Sequence, residues 1–166
     1  EERYPAMKKK EGRFLLGFSK SGFGALAIFL RHLDYIGGAA AWDAPLTSPT
    51  ILKGEDEMRA NFGTEENYRK YYIPGLIDQH AKTLRRGKPR IALVTNGDPP
   101  SSIADVHNQL ETLGIPHRYV VDEKREHNWT SGWFPVVVRE PAQLRPSEPA
   151  TSWTTRRTSG WLARRW

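Results

Sequence analysis

Apolar and polar residues fall in blocks along this chain, and the lengths of the blocks give the elements. Phe14, Leu15 and Leu16 form a short apolar run that stops at Gly17, turns over Phe18-Ser19-Lys20 and resumes as a long apolar stretch to Leu30. That pattern predicts a strand near 13–17, a tight turn, and a helix near 21–31. Residues 37–42 are small and apolar and predict a second strand, ended by Asp43-Ala44-Pro45. Residues 55–86 are amphipathic and helical, with Leu76, Ile77, His80 and Leu84 on one face and Thr64 before two glutamates as a helix start. Residues 90–95 predict a buried strand. Ser102 and Asp105 suggest a capping box opening a helix striped by Ile103, Val106, Leu110 and Leu113, which Gly114 and Pro116 end. A strand over 117–121 follows, then a short element over 134–144 broken by Pro135 and Pro141. Residues 1–12 are polar, with Tyr4 and Met7 as expected buried contacts, and resemble the end of a surface helix. Strands alternating with helices imply a mostly parallel sheet in a three-layer α/β/α arrangement.

Composition narrows the function classes. A chain of 166 residues suffices for one domain with a substantial core. It has no cysteine, which excludes a disulfide framework and a thiolate metal site. No apolar run is long enough to span a membrane. The net charge of +6 suggests nucleic acid, but residues 145–166 hold five arginines and one glutamate, so +4 of it sits there. The expected organisation is therefore a domain over 1–144 and a basic Trp/Arg-rich tail over 145–166, without a packed structure. Nucleic acid is not an expected partner, with the tail as a weak exception. The compartment is open, leaning to cytoplasmic.

The turn at 17–22 carries the candidate chemistry. A serine at the apex of a strand-to-helix turn, flanked by small residues, has the form of a nucleophile elbow, in which strained backbone presents the hydroxyl. Gly17 avoids a clash where strand and helix nearly touch, and Gly22 and Gly24 are expected to let the helix approach the sheet. Ser21 stands where the G-x-S-x-G pattern has glycine. The backbone N–H of Lys20, at the start of the helix, is placed to donate to a developing oxyanion. A serine nucleophile needs a base and a carboxylate to orient that base. His127, in the loop after the last strand, is the candidate base; His32, His80, His107 and His117 are read as packing or surface residues. Asp98, after the 90–95 strand, is the candidate acid, and Asp43 is its rival. Ser19, Asp98 and His127 then follow the chain order Ser…Asp…His.

These residues carry a resemblance. Gly-Phe-Ser-Lys-Ser-Gly-Phe-Gly-Ala-Leu at 17–26, Ala-Ala-Ala-Trp-Asp-Ala-Pro at 39–45, Leu-Gly-Ile-Pro-His at 113–117 and Arg-Glu-His-Asn-Trp at 125–129 resemble the esterase D-like group of α/β-hydrolases. That group includes S-formylglutathione hydrolases, feruloyl esterases and mycolyltransferases. The resemblance covers about residues 1–140. It implies a partial α/β-hydrolase fold whose N-terminal strands, with the second oxyanion donor, are missing, so the chain is expected to be the C-terminal half of a longer enzyme. It further implies an ester or thioester substrate, an acyl-enzyme intermediate, and neither metal nor cofactor. The alternatives are an acyltransferase of the same group and a degenerate, non-catalytic binding domain. Residues around Leu76 are expected to roof the acyl pocket.

Overall fold

The computed structural model describes residues 8–47, 55–97 and 102–144. Three expectations lie outside the described residues: the buried contacts at Tyr4 and Met7, the acid Asp98, and the tail over 145–166.

Among the described residues, four strands form one sheet: β1 (Phe14–Phe18), β2 (Gly38–Trp42), β3 (Ile91–Thr95) and β4 (Arg118–Val121). They lie side by side in chain order and every pairing is parallel. Parallel neighbours need a crossover, and helices supply it. α1 (Lys20–Arg31) joins β1 to β2. α2 (Glu55–Phe62), α3 (Glu65–Arg69) and α4 (Ile73–Leu84) lie between β2 and β3, α5 (Ser102–Thr112) precedes β4, and α6 (Trp133–Leu144) follows it.

The alternation of side chains along each strand separates two cores. Ala39, Ala41, Ile91 and Leu93 face α1, α4 and α5 through Leu26, Phe29, Leu30, Ile77, Leu84, Val106 and Leu110. Ala40, Trp42, Ala92, Val94 and Phe18 face the other way, against Trp133 and Val137 of α6. β2 and β3 are therefore buried on both faces, which is why they read as unbroken apolar runs.

Several local expectations change. The helical region over 55–86 is three helices, separated at Gly63 with φ +75° and around Tyr71 and Tyr72. Leu76 is 6% exposed within the core shared with α1, so it does not roof a pocket. Ser102 does not cap its helix: its hydroxyl accepts from Leu46 N (2.7 Å) and donates to Ala44 O (2.9 Å), tying α5 to the segment after β2. The element at 134–144 is one continuous helix. Pro135 falls in its first turn, where an amide hydrogen has no intrahelical acceptor to lose. Thr64 caps α3 as expected, accepting from Asn67 N at 3.1 Å.

Candidate active site

The site gathers at the carboxyl ends of the strands, where open parallel sheets place ligands. Two non-glycine residues among those described have positive φ, Ser19 (54°) and Asp43 (42°). Each directly follows a strand, β1 and β2 respectively. Ser19 combines φ 54° with ψ −126°, a combination that side-chain-bearing residues rarely adopt. Aspartate tolerates the left-handed region better. Both are held by the sheet: Ser19 N donates to Trp42 O, and Asp43 N to Val94 O, each at 2.9 Å.

The turn closes because Gly17 and Gly22 lack side chains. A Cβ on Gly17 would fall on the Ser21 carbonyl, and one on Gly22 would lie 2.5 Å from the Ala44 Cβ. Gly24 has open space around it, so the expectation that it permits close approach is not met. Ser21 has a role that the sequence did not reveal. Its hydroxyl accepts from Phe18 N (2.9 Å) and donates to Phe18 O (2.7 Å), closing a ring with the residue before Ser19. Glycine at this position could make neither bond.

His127 reaches Ser19 from a loop braced by its own side chains. Arg125 donates to Asp122 Oδ2 (2.9 Å) and Ser131 O (2.7 Å), and the Ser131 hydroxyl donates to Glu126 O (2.8 Å). The His127 ring lies on Phe18, centroids 4.7 Å apart, and Phe18 continues into Trp129 and Trp133. Nε2 of His127 is 3.2 Å from Ser19 Oγ, and Nδ1 is 3.4 Å from Asp43 Oδ2. The Asp43 side chain is 8% exposed and that of His127 is 53% exposed. The other Asp43 oxygen accepts from the Thr95 hydroxyl (3.0 Å) and Asn96 N (3.2 Å), at the start of the loop that leads to Asp98. The structure thus brings Ser19, His127 and Asp43 together, with the amide of Lys20 opening α1 beside them.

The remaining histidines lie elsewhere. His32 follows α1 and His80 lies within α4. His107 pairs with His117 at the far end of the sheet. Burial first, then the neighbouring His117, holds the His107 pKa below the ordinary histidine value, while Glu111 acts the other way. A cavity of about 340 Å³ lined by Lys10, Phe14, Arg86, Lys88 and Arg90 is likewise at the amino ends of the strands, away from Ser19.

Solved structures share the fold that carries this geometry. An S-formylglutathione hydrolase from Staphylococcus aureus is similar with a TM-score of 0.60 and 15% identity, over 86% of this chain and 55% of its own. A ferulic acid esterase gives 0.61 and 18%, over 87% and 55%. The fluorophosphonate-binding serine hydrolase F of S. aureus gives 0.64 and 17%, over 86% and 58%. Over the part it covers, the chain shares the α/β fold of these hydrolases. The chain spans little more than half the length of these neighbours. No protein-family model matches it, and no curated protein does.

Proposed function

We propose that this chain carries the nucleophile, base and orienting acid of a serine hydrolase acting on carboxylic esters or thioesters. The observation that supports this most is the pair of contacts of the His127 ring, to Ser19 Oγ on one side and to Asp43 on the other. Ser19 Oγ attacks the substrate carbonyl carbon while His127 Nε2 takes the hydroxyl proton. The carbonyl oxygen, now negative, receives the Lys20 N–H at the helix N-terminus. Collapse breaks the bond to the leaving alcohol or thiol, to which His127 returns the proton, and leaves an acyl-Ser19 ester. Water, deprotonated by the same Nε2, hydrolyses that ester. Asp43 holds the Nδ1–H tautomer and stabilises the imidazolium formed at each step.

Asp98, favoured by chain order, remains the rival for the acid. Asp43 takes the role here because its carboxylate faces the ring, although 3.4 Å is longer than the 2.7–2.9 Å or so of a charge-assisted bond. The serine hydrolase neighbour described as fluorophosphonate-binding suggests the probe. A fluorophosphonate is expected to label this chain once, with Ser19→Ala and His127→Ala abolishing or greatly slowing the reaction. Absence of labelling, or labelling that survives Ser19→Ala, overturns the proposal.

A further inference from the structure

At the end of the sheet opposite Ser19, His107 and Glu111 stand one turn apart on α5, and His117 immediately precedes β4. One ligand atom from each lies within 4.8 Å of the others. His107 Nδ1 is 2.7 Å from His117 Nε2, and Glu111 Oε1 is 3.7 Å from that same Nε2. Nδ1 of His117 lies 2.8 Å from the carbonyl of Ile115. A carbonyl only accepts, so Nδ1 carries the hydrogen and Nε2 of the neutral ring keeps its lone pair. That is the outer-shell arrangement of metal-binding histidines, with one nitrogen tied to a carbonyl and the other turned to the ion. The His117 side chain is 3% exposed, and the His107 ring stacks on Tyr119 at 4.0 Å and 6°, so both rings are held in place. The Glu111 side chain is 67% exposed and has room to turn inward.

We propose that His107, Glu111 and His117 form a binding site for a borderline divalent transition metal ion, zinc above all, unconnected with the Ser19 site. Two imidazoles and one carboxylate suit zinc and disfavour magnesium or calcium, which take oxygen ligands. Without metal, the short nitrogen–nitrogen contact is an N–H···N bond donated by His107. On binding, the ion replaces that proton: the Nδ1 proton of His107 leaves to solvent, Nε2 keeps the ring hydrogen, and both facing lone pairs bond the metal. Tetrahedral ligation at about 2.0–2.1 Å puts the two nitrogens roughly 3.3 Å apart, so the pair opens by roughly 0.6 Å. The bound ion ties the end of α5 to the start of β4 across the turn that joins them, and β4 is an edge strand of the sheet among the described residues.

Calorimetry on the chelator-stripped whole chain at neutral pH, titrated with zinc chloride and separately with magnesium chloride, tests this. One equivalent of zinc is expected to bind and to raise the melting temperature, and magnesium is expected to do neither. His107→Phe keeps the ring on Tyr119, and Glu111→Gln alters an exposed side chain, so both variants fold, as circular dichroism checks. Each is expected to weaken zinc by no less than the roughly 10–100-fold that loss of an outer-shell partner costs. Cobalt(II) in place of zinc is expected to show tetrahedral absorption that His107→Phe abolishes. Zinc affinity unchanged in both variants, or no zinc binding by the stripped chain, overturns the proposal. So does binding lost with His127→Ala and retained with His107→Phe, which would place the ion beside Ser19.

Discussion

Replacing Ser19 by glycine is expected to stabilise the fold even though it removes the candidate nucleophile. The φ of 54° and ψ of −126° at Ser19 mirror an extended conformation, which glycine enters freely and serine does not. A non-glycine residue in so sparsely populated a region costs about 1–3 kcal/mol. Glycine returns roughly 0.4–1 kcal/mol of this through the greater freedom of the unfolded chain. The Ser19 hydroxyl contributes little to offset the change, because its recorded partner is a half-exposed imidazole at 3.2 Å. From the middle of both ranges the net gain is about 1.3 kcal/mol, which at 2–4 °C per kcal/mol is a rise in melting temperature of about 3–5 °C. Ser19→Ala is the control, since it deletes the same hydroxyl and keeps the Cβ in the strained conformation. It is expected to melt within about 2 °C of the parent, a change of about 0.5 kcal/mol. Differential scanning calorimetry of the three proteins in one buffer measures the comparison. If Ser19→Gly melts no higher than Ser19→Ala, the elbow stores no strain and the backbone argument for an exposed nucleophile fails.

Three further outcomes are expected. Asp43→Asn should slow fluorophosphonate labelling of Ser19 far more than Asp98→Asn does, by up to about 10⁴-fold if the loss matches that of other triads; the reverse ranking would return the acid role to Asp98. Ser21→Ala removes both bonds to Phe18, at a cost of about 1–3 kcal/mol, or a fall of about 2–12 °C in melting temperature, and an unchanged melting curve would show that the ring they close is idle. Trp133 is 2% exposed and stacks on Phe18 and Trp42, so Trp133→Ala should cost about 3–5 kcal/mol in chemical denaturation, whereas Trp133→Phe should cost much less, because its buried Nε1 has no hydrogen-bond partner among the described residues; equal costs would mean that ring stacking is not what holds α6.

The strands and α1 were legible because each is a burial pattern written locally. Gly-Ala-Ala-Ala-Trp has no polar position because both of its faces are covered, and Phe14 to Leu30 shows strand, apex and helix in one line. α6 was misread for the opposite reason: its prolines looked like breaks until the helix boundary put Pro135 in the first turn. Within the site, Ser19 and His127 were marked by their local settings. Asp43 was visible only as a rival to Asp98, since its distance from His127 depends on how the loop after β4 folds back over the strand ends. Ser21 gave no signal beyond a departure from glycine. His107 and Glu111 share a helix face by their spacing of four, but His117 joins them through the turn at Gly114, which no periodicity encodes.

The backbone bonds that extend the ladder past each strand make the sheet a ruler. Ser19 is fixed to the end of β2, and Asp43 to the end of β3, so the separation of hydroxyl and carboxylate is set by strand spacing, about 4.8 Å per strand. Neither residue can move without unzipping its neighbour. The histidine is the adjustable part of this instrument, half-exposed on a loop held mainly by its own polar side chains. Anything that presses on residues 122–131 moves His127 relative to Ser19 and Asp43, while the two fixed marks stay where they are.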